Sequence, residues 1–303
     1  MKTKFLIVIA GPTAVGKTKL SIQLAKHYNS VILSADSRQF YREMNIGTAK
    51  PSLEELKEVE HYFINNKSVS ELYGAGHYEK DALLVLDNIF SKQDIVITVG
   101  GSGLYINALL NGVDEFTEIP LTLREKLTEE FEKNGIKWLQ EELEKVDKSY
   151  LEKADINNPQ RLMRALEVSL HTGKPYSTFL TQEKMKRSFT AIPIFINTER
   201  RILYDRINQR VDKMIAEGLV DEVKQLLPYQ HLNALKTVGY KEIFDYLNGS
   251  SDFATAIYKI KQHTRNYAKR QITWFKNKGE FEEFLPQDLE KIIAYIDIIC
   301  QHG

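Results

Sequence analysis

At 303 residues and 35.0 kDa, the chain is about twice the length of a common single domain, which argues for a main core carrying one inserted or appended unit. Hydrophobic residues make up 43% and charged residues 27%, with 8 prolines, so disordered, collagen-like and fibrous classes are excluded. Forty-one Lys and Arg balance 41 Asp and Glu, so any preference for nucleic acid or membrane must come from local segregation of charge.

The single cysteine, Cys300, excludes an intramolecular disulfide and a multi-cysteine zinc site, which fits a reducing compartment. No apolar run approaches the roughly 18 residues of a membrane span. The run Phe5 to Ala10 is shorter than a secretory core and is broken by Gly11-Pro12, so a soluble cytoplasmic protein is expected.

Phe5 to Ala10 is continuously apolar, the pattern of a strand buried on both faces of a parallel sheet. A helix follows over Lys19 to His27, then a short strand over Val31 to Leu33 that leads to Asp36. Asp94 to Val99 repeats the pattern and runs into Gly100-Gly101 and a helix from Gly103 to Leu110. A further strand is expected over Ile192 to Ile196, followed by a helix from Glu199 to Glu217. Strands alternating with helices imply an α/β fold: a parallel sheet with helices on both faces.

Between Phe116 and Ser188 the alternation lapses. Leu123 to Asn134, Ile136 to Val146 and Pro159 to Thr172 have helical spacing, punctuated by Gly135, Asn157-Asn158-Pro159 and Gly173-Lys174-Pro175. An all-helical insertion over residues 116–188 is therefore expected, splitting a core made of 1–115 and 189–303. Charge does segregate: Asp114 to Asp155 holds 13 acidic and 7 basic residues, whereas Lys259 to Lys278 holds seven basic residues and no acid.

The run GPTAVGKT fits the phosphate-loop pattern G-x-x-x-x-G-K-[ST], between a strand and a helix as that pattern requires. Gly11, Pro12, Thr13, Ala14, Val15 and Gly16 form the loop expected to hold diphosphate, whose backbone N–H groups, Pro12 having none, would cradle phosphate oxygens at a helix N-terminus. Lys17 would add a point charge, and Thr18 a hydroxyl ligand for Mg2+. The core is thus expected to be P-loop NTPase-like. The pattern establishes polyphosphate binding but not the reaction. No NKxD run is present, which argues against a GTPase. A small-molecule kinase using ATP remains an alternative.

Asp36-Ser37-Arg38-Gln39, Tyr41-Arg42 and Ile46-Gly47-Thr48-Ala49-Lys50-Pro51 resemble the tRNA dimethylallyltransferase family. So do GGSGLY from Gly100, NNPQRLMRALEV from Asn157, VGYKE from Val238 and AKRQITWF from Ala268. They occur in the family's order and span most of the chain. The resemblance implies transfer of a dimethylallyl group from dimethylallyl diphosphate to N6 of the adenosine 3′ of the anticodon, with Mg2+. Ser102 stands where the family usually has threonine, and Asn45 where aspartate is frequent. The chain lacks the cysteine/histidine finger of eukaryotic relatives, which suggests a bacterial or organellar type.

On this reading the loop stabilises diphosphate as a leaving group. Adenine N6 is a poor nucleophile and needs somewhere to send its proton, for which Asp36 is the candidate base. A metal-associated role at the strand end is its competing assignment. Ser102 could orient Asp36 or the adenine, or serve as a helix cap. Arg210 is assigned to the diphosphate, while Arg206, one turn earlier on the same face, could equally be a salt-bridging or solvated residue.

Residues expected at the tRNA anticodon stem-loop are Asp36, Ser37, Arg38, Gln39, Ser102 and Arg124. To these are added Gln160, Arg161, Leu162, Met163 and Arg164, and the segment Lys236, Thr237, Val238, Gly239, Tyr240 and Lys241. Lys261, Arg265 and Lys269 would form a basic stripe if their segment is helical. A monomer is the expected state.

Overall fold

The computed structural model describes residues 3–113, 119–180, 184–278 and 280–302. In chain order the elements are β1 Phe5–Ala10, α1 Lys17–His27, β2 Ile32–Ser34, α2 Leu53–Glu58, β3 His61–Tyr62, α3 Ala75–Phe90, β4 Ile95–Gly100 and α4 Gly103–Asn111. They continue with α5 Leu121–Leu151, α6 Pro159–Thr172, β5 Thr190–Ile196, α7 Arg200–Ala216, α8 Leu219–Gln225, α9 Tyr240–Leu247, α10 Phe253–Lys278, β6 Glu282–Phe284 and α11 Leu289–His302.

The strands form one parallel sheet in the order β3-β2-β4-β1-β5-β6. Strand side chains alternate between faces, and every residue of β1 is buried. Phe5, Ile7 and Ile9 join a core with Leu20 of α1, Leu203 of α7 and Ile292 of α11. Leu6, Val8 and Ala10 join a second core with Ala82 of α3 and Ile106 of α4. Burial on both faces explains the unbroken apolar runs. A third core, built on Val211, Leu219, Tyr240 and Ile260, ties α7, α8, α9 and α10 to the loop around Met44.

The chain divides into two compact units, residues 1–111 with 186–303, and residues 112–185. The boundary expected at 115–116 lies outside the described residues. Within the second unit, α5 is interrupted at Gly135, where φ is 72°, and at Asp147. The Asp147 carboxylate accepts hydrogen bonds from the Ser177 N–H at 2.6 Å and hydroxyl at 2.8 Å. The Asn158 side chain caps α6 by accepting from Arg161 N–H, and Pro159 occupies its first turn. Leu127, Leu139 and Leu143 of α5 pack on Leu162, Ala165 and Leu166 of α6.

Candidate active site

Pairing of Ala10 with Gly100 and of Ser34 with Val99 brings the C-terminal ends of β1, β4 and β2 to the same edge of the sheet. In open parallel sheets, ligand crevices form outside these strand ends. Here they open onto a cavity of about 520 Å3 whose lining includes Lys17, Asp36, Gln39, Arg210, Tyr267 and Gln271.

The loop after β1 turns into α1 at Gly16, whose φ of 108° suits a residue without Cβ. The Lys17 ammonium folds back over the loop and donates to Gly11 O at 2.9 Å and Pro12 O at 2.8 Å. Burial lowers its pKa to about 8; Asp36 pulls it up and Arg210 pushes it down. Arg210 donates to Thr13 Oγ1 at 3.3 Å, and burial lowers its pKa against the raising effect of Asp36. Two desolvated cations and the N-terminus of α1 therefore form a site that gains by receiving an anion.

Gln271, buried on α10, fixes this loop to the neighbouring turn. Its side-chain oxygen accepts from Thr13 N–H at 2.9 Å, and its amide donates to Gly101 O at 2.8 Å. A Cβ at Gly101 would meet the Gln271 amide nitrogen at 2.3 Å, so any larger residue there would push that amide off its partners.

Opposite the loop, Asp36 begins a turn in which its Oδ1 accepts from Arg38 N–H at 3.0 Å. Ser102 is buried and accepts from Ser37 N–H at 2.9 Å, with its hydroxyl 3.1 Å from that of Ser37. Ser102 thus braces the turn carrying Asp36. The Tyr267 hydroxyl is pushed up to about 12, first by burial and then by Asp36, which keeps it a proton donor. The Gln39 amide donates to Thr48 O and Ala49 O, joining the Asp36 turn to a second wall of the cavity.

Around one cavity the structure places Thr13, Ala14, Gly16, Lys17 and Thr18 of the phosphate loop with Arg210, Asp36 to Gln39, Thr237, Val238 and Gly239. Gly11 and Pro12 turn carbonyl oxygens to Lys17 instead, and the Val15 side chain is buried in the core. Ser102 contacts the Asp36 turn as described. Arg206 is exposed on α7, as its solvated assignment expects, and donates to Val15 O at 3.1 Å; among the described residues it pairs with no carboxylate. Asn45 keeps a polar role without charge, accepting from the Lys50 ammonium through Oδ1 at 3.0 Å.

In the inserted unit, Arg124 forms a two-point contact with the buried carboxylate of Glu167, at 2.8 and 3.0 Å. Arg164 lies 3.5 Å from the same carboxylate. Gln160 and Arg161 are exposed at the start of α6, and Met163 packs at the edge of its core.

Two assignments need correction. Leu162 is fully buried among the leucines of α5 and α6, so its side chain belongs to the core rather than to an RNA surface. Tyr240 is also fully buried, and its hydroxyl donates to Glu222 at 2.6 Å. Lys236 and Lys241 beside it are exposed. The basic stripe is helical but partly neutralised, since Lys261 pairs with Asp212 at 2.6 Å; Arg265 keeps its charge and donates to the Asn208 amide oxygen at 2.7 Å.

Tyr267, expected from its basic and aromatic surroundings to serve either nucleic acid or the core, lines the cavity. Gln271 and Glu222 were not singled out by the sequence. Gln271 did leave a signal, being a polar member of a helical stripe with Ala268 and Phe275. Glu222 acts through contacts distant in sequence, which leave none.

Fold and cavity together define a parallel α/β protein in which a glycine loop with two desolvated cations shares one cavity with a carboxylate-bearing turn. The family model described as IPP transferase matches residues 39–278. The tRNA dimethylallyltransferase of Flavobacterium psychrophilum is 50% identical, over 98% of this chain and 99% of its own. The crystal structure of the full-length tRNA isopentenylpyrophosphate transferase of Bacillus halodurans is similar with a TM-score of 0.73 and 35% identity, covering 99% and 98% of the two chains. A eukaryotic dimethylallyltransferase structure described as acting on tRNA gives a TM-score of 0.79 at 29% identity, covering 95% of this chain and 75% of that one. The chain belongs to the tRNA dimethylallyltransferase family of transferase enzymes.

Proposed function

We infer that this chain moves a dimethylallyl group from dimethylallyl diphosphate to N6 of the adenosine 3′ of the anticodon in tRNA, releasing diphosphate. The observation that carries this reading is the pairing, within one cavity, of a phosphate cradle with a carboxylate on the facing turn. The allylic carbon–oxygen bond breaks with its electron pair leaving on diphosphate, and the N6 lone pair forms the new carbon–nitrogen bond. Lys17, Arg210 and the α1 amide groups stabilise the charge that grows on the leaving group. Asp36 takes the N6 proton, and Ser102 and Gln39 hold the Asp36 turn in place.

Among the described residues no group of three or more His, Cys, Asp or Glu forms a metal cage. Thr18, which borders the cavity, would hold Mg2+ through its hydroxyl, since Mg2+ is commonly bound by one or two protein groups with substrate phosphates. When bound, Mg2+ would supply positive charge to the leaving group.

For the RNA, Gln160, Arg161 and Arg164 on α6 and Lys236 and Lys241 before and within α9 supply backbone contacts. Such contacts offset the few kcal/mol needed to unstack a target base. No helix among the described residues is long and apolar enough to cross a membrane. We propose a monomer acting in the cytoplasm.

Incubation with labelled dimethylallyl diphosphate and unmodified tRNA tests the reading. Label in the RNA with an equal amount of free diphosphate is expected. An unlabelled RNA with ATP consumed instead would assign the loop to a kinase.

A further inference from the structure

The loop between Asn45 and Lys50 forms one wall of the cavity through Gly47, Thr48 and Ala49. Three successive backbone N–H groups of this loop converge on one carboxylate, that of Glu222 on α8. Asn45 and Ile46 donate to its Oε2 at 3.0 and 2.7 Å, and Gly47 donates to Oε1 at 3.1 Å. The Tyr240 hydroxyl donates to Oε1 at 2.6 Å. Successive N–H groups arranged in this way form an anion-binding concavity; here a side chain of the same chain fills it.

Space and charge reinforce the arrangement. A Cβ on Gly47 would lie 2.5 Å from the Tyr240 ring, so the loop packs flat against that ring. The Lys50 ammonium holds the far end, donating to Tyr41 O at 2.6 Å and to the side-chain oxygens of Asn45 and Asn65. From the cavity side, Gln39 donates to Thr48 O and Ala49 O, and Gln39 N–H donates to Asp36 O at 3.3 Å. A continuous chain of hydrogen bonds therefore runs from Glu222 through the loop to the turn bearing Asp36. The phosphate loop is held separately, by Gln271 and Lys17.

We propose that Glu222 is a positioning residue for the acceptor side of the reaction. By filling the amide concavity at residues 45–47, it fixes the cavity wall and, through Gln39, the orientation of the Asp36 turn toward the RNA base. Its effect reaches the acceptor without reaching the diphosphate. This inference rests on the prenyl-transfer reading above.

Kinetics of Glu222→Ala and Glu222→Gln test it, with KM measured separately for tRNA and for dimethylallyl diphosphate. Gln preserves shape but turns an amide donor toward backbone donors. Glu222→Ala should raise the KM for tRNA about tenfold or more and leave the KM for the diphosphate within about twofold, with Glu222→Gln intermediate. Tyr240→Phe, which keeps the ring and the three amide bonds, should leave both constants within about twofold. Amide hydrogen exchange in Glu222→Ala should quicken at residues 45–47 and stay unchanged in the phosphate loop.

Equal rises in both KM values, or no change in either, would overturn the proposal. Loss of the folded state in both Glu222 variants would also overturn it, since the residue would then be structural. Failure of the wild-type protein to transfer the prenyl group would instead sink the reaction assignment. The exchange pattern would still report on the concavity in that case.

Discussion

Replacing Gln271 by alanine removes a side chain that joins the phosphate loop to the turn after β4. Two backbone groups lose their partner: Thr13 N–H and Gly101 O. Each orphaned polar group costs about 1–3 kcal/mol if it stays dry. Thr13 borders the cavity and can be rehydrated, whereas Gly101 is buried and cannot. One full penalty, the lost packing of a side chain only 6% exposed, and a few tenths of a kcal/mol regained from the helix propensity of alanine leave a loss of about 2 kcal/mol. That corresponds to a fall of roughly 30-fold in the folded-to-unfolded ratio.

Urea unfolding of wild type and variant measures this as a shift in midpoint at constant slope. A rise in the KM for dimethylallyl diphosphate should accompany it, because Thr13 is part of the cradle. The structure also predicts coupling. Gly101→Ala places its Cβ against the Gln271 amide, so it should cost less in the Gln271→Ala background than in wild type. A stability loss below about 0.5 kcal/mol, unchanged donor KM and strict additivity with Gly101→Ala would refute the clamp.

The Lys17 pKa of about 8 sets two opposite pH trends. Donor KM should be flat near neutrality and climb above pH 8 as the ammonium of the free enzyme deprotonates, read from initial rates across pH. Lys17's own contribution to stability should rise between pH 8 and 10.5, because there the unfolded chain binds a proton the folded state has released; unfolding of wild type and Lys17→Met across that range isolates it. Asp36→Asn should lower the single-turnover rate by about 10² to 10⁴ while tRNA affinity holds within a few fold, measured by quench-flow and filter binding. Arg161→Ala should weaken tRNA binding and make its salt dependence shallower by about one phosphate contact, read from affinity against salt concentration. Arg124→Ala strips the buried Glu167 carboxylate of its two-point partner, and should lower the thermal midpoint more than Glu167→Ala, which leaves only a part-exposed arginine that water can solvate.

Much of the fold could be read from local chemistry. Strands β1 and β4 are continuous apolar runs ending in glycine, and α7 is bounded by Glu199 and Gly218. Gly135 and Asn158-Pro159 punctuate the inserted helices where expected. The edge strands could not be read: β3 has two residues and β6 three, too short for periodicity to register, and they are placed by pairing with β2 and β5. The phosphate loop and Asp36 were visible because a strand end and a glycine pattern fix them locally. Gln271 and Glu222 were not, because each gains its role from a partner at least 170 residues away. Leu162 and Tyr240 show the opposite error. They sit inside runs whose polar neighbours face outward, and helical periodicity turns them into the core.

The most direct test of the central claim is mass spectrometry of the nucleosides of unmodified tRNA after incubation with the protein, dimethylallyl diphosphate and Mg2+. The account predicts a dimethylallyl group on N6 of the adenosine 3′ of the anticodon, lost with Asp36→Asn. RNA left chemically untouched while ATP is turned over in the same cavity would contradict it.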